Sequence, residues 1–414
     1  MQNKISNQLL LSLLTIVVIS SFVIGFVIDE NSAGGAINDS KHIWSNLQIF
    51  LNHDLKSAVI HEDYFDGRLP IAYIFLKYFN PFVNDFYQYR ISIFVLSFLL
   101  PIIFFISLMK KYPEQKKSFF LIISLIIFIS PYFRSTSFWG LQENYGLFFL
   151  ISSFLAIFNY HYNKSIINIF FTCLLSSLAF YFDQKLLIVP ILCFFTIILQ
   201  TGRSNEKISA IFFYSIFALP YLYLIYLWGS ILHPGASSRI GSLAHENVGY
   251  SLSMIAFYVL PFIILKKKIN SIKEFFLNKI NLLTLFIVFF YILIFLFYYE
   301  STSKYMFGNG VFYKLATIFF NSLLYQKLFL GIIIFISTLI ILYYFSTLYD
   351  RLIILYFLLL SVAINPMYQE YYDPLIVIMI FTFFKEKINL SFEKLSFIFT
   401  YFLIFFVGAF IYYN

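Results

Sequence analysis

Apolar residues in this chain come in long unbroken runs, and polar residues gather in the gaps between them. The first run, 9–28, is long enough to cross the hydrocarbon of a bilayer as a single helix. The runs are continuous and not alternating, which excludes a membrane β-barrel. Ser32-Ala33-Gly34-Gly35-Ala36 vaguely resembles a signal-peptide cleavage site. The apolar core before it exceeds a usual signal-peptide core, however, so the pattern predicts a retained anchor.

One gap is far longer than the others. Residues 29–90 stay polar, with His42, His53, Asp54, His61, Glu62, Asp63, Asp66, Arg68 and Asp85 among them. Within it, Asp39 or Ser40 is expected to N-cap a short helix carrying Ile43, Leu47, Phe50 and Leu51 on one side. The run Leu69–Phe79 opens with Pro70 and is too short to span, so it predicts a helix lying in the interface. Further runs at 91–109, 118–133, 144–160, 165–182, 186–200, 209–229, 249–265, 281–299, 328–345, 352–364, 373–384 and 395–413 bring the expectation to about thirteen spans. Residues 311–325 read as an amphipathic or re-entrant piece. The expected fold class is all-α, a polytopic transmembrane bundle. It is treated as one membrane domain over 1–414, with a module at 8–200 that includes the loop 29–90 and more variable spans at 201–414.

Composition agrees: 61% of residues are hydrophobic and 12% charged, which no soluble domain of this length matches. The net charge of +8 would suggest nucleic acid in a soluble protein; here it records orientation, and no nucleic-acid partner is expected. With the N-terminus inside, the short cytoplasmic segments collect most of the Lys and Arg, including Lys110, Lys111, Lys116, Lys117 and the triplet Lys266-Lys267-Lys268. Most carboxylates then fall outside. Cys173 and Cys193 lie in apolar runs and predict no disulfide.

The outer segments hold the candidate chemistry. Asp29-Glu30 closes the first span, Arg90 ends the long loop, Arg134 and Glu143 flank the second outer loop, and Asp183-Gln184-Lys185 forms the third. Arg239, His245, Glu246 and Lys304 follow, then Tyr368-Gln369-Glu370-Tyr371-Tyr372-Asp373-Pro374. A carboxylate at the membrane edge can act as a general base on a hydroxyl, because low local dielectric raises its pKa toward the working range. A cation at the same depth can hold the phosphate of a lipid carrier. Together they suit sugar transfer from a polyprenyl-phosphate donor to a hydroxyl. Plainer readings stand beside this one. Asp29-Glu30 can be a polar stop, Glu143 an acid at a helix N-terminus, the cations snorkelling side chains, and Tyr371 and Tyr372 part of an aromatic belt. The histidine spacings match no compact ligand motif, so neither metal nor cofactor is expected.

These features resemble the GT-C superfamily of integral-membrane glycosyltransferases, such as protein O-mannosyltransferase-like enzymes. The resemblance rests on Ile28-Asp29-Glu30, on Ser130-Pro131 followed by Gln142-Glu143-Asn144-Tyr145-Gly146-Leu147-Phe148, and on Tyr371-Tyr372-Asp373-Pro374. In place of the His-Pro-Pro-like motif of many relatives, this chain has Asp66-Gly67-Arg68-Leu69-Pro70. The resemblance implies a long first outer loop with two interfacial helices and an active site on the outer face. It implies Asp29 as the base, Glu30 as its orienting or tuning neighbour, and Glu143 as a second acidic position. Arg90, Arg134 and Lys185 become candidates for gripping the carrier phosphate, and Tyr371 and Tyr372 for the donor site. The expected partners are a polyprenyl-phosphate-linked sugar, a lipid or glycan acceptor and membrane lipids, and the expected location is the bacterial cytoplasmic membrane. A transporter or flippase of lipid-linked sugars, or a polysaccharide polymerase or ligase, is the competing expectation.

Overall fold

The computed structural model describes residues 2–66, 68–200, 202–231, 233–234, 244–266, 272–298, 308–364 and 367–413. Arg239 and Lys304 lie outside these. The described chain is helical throughout, with one isolated antiparallel bridge between Lys266 and Ile388. It divides into two compact units, 1–238 with 402–414, and 239–401.

The first unit begins with α1 (Gln2–Val27), followed by three short helices, α2 (Ala36–Asn52), α3 (Leu55–Val59) and α4 (Ile71–Phe79). α2 starts earlier than expected, so Asp39 sits inside its first turn and does not cap it; Ile43, Leu47 and Phe50 form its buried side. α4 begins directly after Pro70, the residue that favours a helix start. Next come α5 (Phe86–Ser97), α6 (Leu99–Lys111), α7 (Lys117–Phe128), α8 (Pro131–Trp139), α9 (Glu143–Tyr162), α10 (Ile166–Phe182), α11 (Ile188–Gln200) and α12 (Ser204–Trp228). The second unit holds α13 (Asn247–Val259), α14 (Ile272–Leu277), α15 (Lys279–Tyr298), α16 (Gly310–Phe319), α17 (Leu323–Tyr344), α18 (Leu348–Val362) and α19 (Leu375–Phe381), and α20 (Phe392–Tyr413) ends the described chain.

Among the described residues, seven helical stretches are long and apolar enough to cross a membrane: Leu9–Val27, Phe86–Lys111, Ser204–Trp228, Asn247–Leu265, Lys279–Phe297, Leu323–Tyr344 and Phe392–Tyr413. The protein is therefore a multi-pass membrane protein by its helices. Several of the thirteen expected spans resolve into shorter pieces. The run at 118–133 is the clearest case. Ser130 accepts a hydrogen bond from the Phe133 N–H at 3.1 Å, Pro131 opens a new helix, and the chain turns by 62° between α7 and α8. A capping Ser followed by Pro at the first helical position is a start signal, and it outweighs the apolar continuity across it. Every residue of α8 is buried. That places Arg134 inside the first unit, where a charged side chain has to be paired.

Candidate functional site

The first unit's charged residues are arranged by how α1 ends. The Glu30 N–H donates to the Gly25 carbonyl at 2.9 Å and the Asp29 N–H to Phe26 at 3.3 Å. This is a Schellman termination, whose left-handed position usually holds glycine. Here Asp29 holds it, at φ +56°. Aspartate is one of the few side chains that tolerate this region, at a cost of order 1 kcal/mol. The turn sends the two neighbouring acids opposite ways. Asp29 keeps a side chain 61% exposed, whereas that of Glu30 is 2% exposed.

Glu30 is locked to α8. Arg134 donates from Nε to Oε1 at 2.7 Å and from Nη2 to Oε2 at 2.5 Å, and its remaining donors reach the Phe128 and Ser21 carbonyls at 3.2 and 2.9 Å. The Trp139 indole donates to the Glu30 carbonyl at 2.9 Å. Gly25 makes room for this pair, since a Cβ there would lie 2.5 Å from both Arg134 Nη2 and Glu30 Oε2. A fully enclosed bidentate pair with its spare donors satisfied is a structural device. As placed, neither Glu30 nor Arg134 presents a group to a ligand.

Asp29 is held differently. The Arg90 Nη2 donates to Oδ1 at 2.6 Å, Arg90 Nε donates to the Phe138 carbonyl at 2.8 Å, and the guanidinium lies 4.1 Å from the Trp139 ring centre. Arg90 thus fixes one carboxylate oxygen. Its neighbour on α5, Tyr89, turns to the next loop and donates from its hydroxyl to the Gly140 carbonyl at 2.5 Å. Adjacent residues of α5 therefore tie the end of α1 to the loop that joins α8 to α9.

There Glu143, at the first position of α9, meets a residue that the sequence reading did not select. Arg68 donates from Nε and Nη2 to Glu143 Oε1 at 3.0 and 2.8 Å, with Asp66 at 3.7 Å and Asp39 at 3.8 Å. The Tyr73 hydroxyl donates to Asp66 Oδ2, and the Tyr64 hydroxyl donates to the Arg68 carbonyl at 3.2 Å. Burial works to lower the Arg68 pKa, but the three carboxylates more than offset it and hold the guanidinium firmly charged. Lys185 Nζ lies 3.0 Å from Asp183 Oδ2 and 5.4 Å from the Tyr132 ring centre. Burial, with Glu143 nearby, pushes the Asp183 carboxyl above its usual range, against the opposing pull of Lys185.

Of the expected phosphate-gripping cations, Arg90 is committed to Asp29, Arg134 is enclosed, and Lys185 is paired with Asp183 with 11% of its side chain exposed. Arg68 keeps 25% of its side chain exposed. Its signal in the sequence is Asp66-Gly67-Arg68 just before a Pro-led interfacial helix, where the His-Pro-Pro-like motif of many GT-C enzymes is missing. Gly67 lies outside the described residues. Tyr371 and Tyr372 belong to the second unit, where Tyr372 is buried against Phe357 and Tyr371 packs against Tyr368. The His53 and His61 ring centres lie 4.8 Å apart with the planes tilted at 50°, and among the described residues no three potential ligands are grouped to hold a metal.

Beside the Glu143 cluster lies an apolar cavity of about 180 Å³, lined by Phe75 from α4, Leu96 and Leu100 from α5 and α6, and Tyr145, Phe148 and Phe149 from α9. Glu143 and Tyr145 are two residues apart, so a charged cluster and a greasy recess share the first turns of one helix. That suits a ligand with a polar head and an apolar body. No protein-family model matches the chain, and no curated protein or solved structure does either.

Proposed function

We propose that this protein is a membrane glycosyltransferase that moves a sugar from a polyprenyl-phosphate-linked donor to a hydroxyl on the outer face of the membrane, with Asp29 as general base. One observation carries the reading. Asp29 is fixed through Oδ1 by a buried arginine, yet most of its side chain faces outward from a strained backbone position. A carboxylate oriented by one oxygen and open at the other can take a proton from an acceptor. Strain of this kind persists where the surrounding structure over-determines it, and functional sites are where it collects.

In the step itself, Asp29 takes the proton of the acceptor hydroxyl as its oxygen bonds to the sugar's anomeric carbon. The bond from that carbon to the phosphate oxygen breaks, and the electron pair leaves with the polyprenyl phosphate. Of Arg68, Arg90, Arg134 and Lys185, Arg68 is the most exposed and so the one to meet that phosphate, and the cavity beside α9 takes the start of the lipid chain. Glu143 orients Arg68. In this reading the N-terminus is cytoplasmic, residues 29–90 lie outside, and α7 with α8 as one bent span, α9, α10 and α11 cross with the seven longer stretches. The lysine-rich short segments support that orientation.

The test is transfer from labelled polyprenyl-phosphate sugars by the purified wild type and by Asp29→Asn. A folded Asp29→Asn protein with undiminished transfer would remove the proposed base.

A further inference from the structure

The far end of α9 gathers cations. α9 begins at Glu143 and runs for 20 residues to Tyr162, about 30 Å along its axis. The segments that meet at Tyr162's end, 110–117, 159–164 and 203–207, hold seven Lys and Arg residues against two carboxylates, Glu114 and Glu206. A bias toward Lys and Arg in short loops accounts for how many there are. It does not account for how three of them, from three separate segments, are held together.

Lys110, at the end of α6, donates from Nζ to Asn159 Oδ1 at 2.8 Å. The next residue of α9, Tyr160, is buried and donates from its hydroxyl to Glu206 Oε2 at 2.5 Å. Lys164, in the loop after α9, places Nζ 4.3 Å from the Tyr160 ring centre. Arg203, just before α12, places Nη1 3.4 Å from Glu206 Oε1. Asn159, Tyr160 and Glu206 thus form one connected scaffold that positions all three cations. The acid in it is buried, whereas Lys110, Lys164 and Arg203 are all exposed. A surface that encloses its carboxylate and presents its cations suits an anion.

The surroundings say that this anion carries a tail. Ile166 and Ile167 open α10 one or two residues beyond Lys164, Leu199 lies in the last turn of α11, and Ile208 follows Lys207 on α12; each is more than half exposed. Apolar surface of this kind on a membrane helix faces hydrocarbon, so the three cations lie where a headgroup would sit. We propose that the adjoining ends of α6, α9 and α12 bind the phosphate of an anionic phospholipid between Lys110, Lys164 and Arg203, with its acyl chains against α10, α11 and α12. Basic recesses between membrane helices recognise lipid headgroups in this way. The site lies at the opposite end of α9 from Glu143, so the inference stands independently of the transfer reaction and of Asp29.

The test is thermal unfolding of the full chain in dodecyl maltoside micelles at fixed pH and ionic strength. The micelles are doped with phosphatidylglycerol or with phosphatidylcholine, and a third series receives soluble glycerol 3-phosphate. The expected result is a saturable rise in Tm with phosphatidylglycerol and none with the other two. Lys110→Gln, Lys164→Gln and Arg203→Gln, all at exposed positions, should each weaken phosphatidylglycerol binding about fivefold, the effect of one surface cation on an anionic lipid. Lys41→Gln, an exposed charge on α2, removes the same net charge elsewhere and should leave binding unchanged. An equal rise with phosphatidylcholine, no saturable rise with phosphatidylglycerol, or undiminished binding in the three variants overturns the proposal. So does an equal loss in Lys41→Gln, which would reduce the effect to net charge, or an equal rise with glycerol 3-phosphate, which would make this a site for a soluble anion. Asp29→Asn should bind phosphatidylglycerol as the wild type does, which separates failure of this inference from failure of the transferase reading.

Discussion

Asp29 and Arg90, sixty-one residues apart, are joined by a 2.6 Å ion pair that engages one carboxylate oxygen and leaves 61% of the aspartate side chain exposed. Two substitutions separate what this arrangement does for the fold from what it does for chemistry. Asparagine tolerates the left-handed backbone, so Asp29→Asn should change stability by no more than about 1 kcal/mol. Glycine removes the strain, so the roughly 1 kcal/mol it returns should offset much of the lost ion pair in Asp29→Gly. Both should reduce sugar transfer by about 10²–10⁴-fold, the usual range for a general base. Comparable stability with comparable loss of turnover is the expected pattern, measured by thermal unfolding beside the transfer assay. Loss that tracks instability would make Asp29 a structural residue.

Glu30 and Arg134 should behave in the opposite way. Both are sealed, so removing one partner leaves a buried charge without compensation, at roughly 3–5 kcal/mol. Glu30→Gln and Arg134→Met should each collapse the yield of folded protein. The double variant Glu30→Leu with Arg134→Met should recover much of it, because an apolar pair of similar volume avoids the unpaired charge. Gly25→Ala should resemble the single variants, given the 2.5 Å approach of both charged groups to the added methyl. Folded yield and Tm in detergent check all four, and a double variant no better than the singles would refute the reading.

How much of this was legible in the sequence follows from range. Asp29-Glu30 stood out because two acids end an apolar run, a local signal. That they point apart depends on the left-handed turn at Asp29 and on a partner 104 residues away from Glu30, and no local pattern encodes either. The interfacial helix after Pro70 was legible from its length and its proline. Arg68 was not, because its role comes only from meeting Glu143 seventy-five residues on. Lys266 has a second role that its place in a lysine triplet does not reveal. Counted as a loop charge marking orientation, it is buried, donates to the Tyr343 and Tyr344 carbonyls at the end of α17, and lies 3.7 Å from Glu386. A cation at a helix C-terminus complements its dipole and its unpaired carbonyls. Lys267 and Lys268 lie outside the described residues.

Asp183 gives a prediction in pH. Burial raises its folded-state pKa above the unfolded value, with Glu143 adding to the rise. A raised carboxyl pKa means that the folded state binds the proton more tightly than the unfolded chain does. The contribution to stability is then fully present below the unfolded pKa near 3.8 and is lost as pH climbs through the folded value. Asp183→Asn removes that dependence. Its unfolding midpoint should exceed that of the wild type at neutral pH, and the two curves should converge as pH falls toward 4. A wild type that gains on the variant with rising pH would show that Lys185, and not burial, dominates the carboxyl.

The last prediction concerns a hydroxyl inserted into a helix. α12 contains Pro220, which has no N–H to offer and whose ring disrupts the turn before it. At that break the Tyr221 N–H donates to the Tyr181 hydroxyl at 3.2 Å, and the hydroxyl donates to the Phe217 carbonyl at 2.6 Å. Residues 217 and 221 are the pair that would bond directly in an unbroken helix, so Tyr181 replaces the missing rung. Tyr181→Phe keeps the ring and deletes the bridge. The proline prevents the helix from closing up, so a half-buried donor and acceptor are left unpaired, and the variant should lose roughly 1 kcal/mol or more. Activity should fall with it. Trp228, at the far end of α12, donates to the Val59 carbonyl at 3.2 Å, in the loop that leads to Asp66 and Arg68. Tyr181 is also two residues from Asp183. Denaturant titration in detergent measures the stability change, and the transfer assay measures the activity. Unchanged stability in Tyr181→Phe would mean that the direct 217–221 bond re-forms despite the proline, and that the hydroxyl is dispensable.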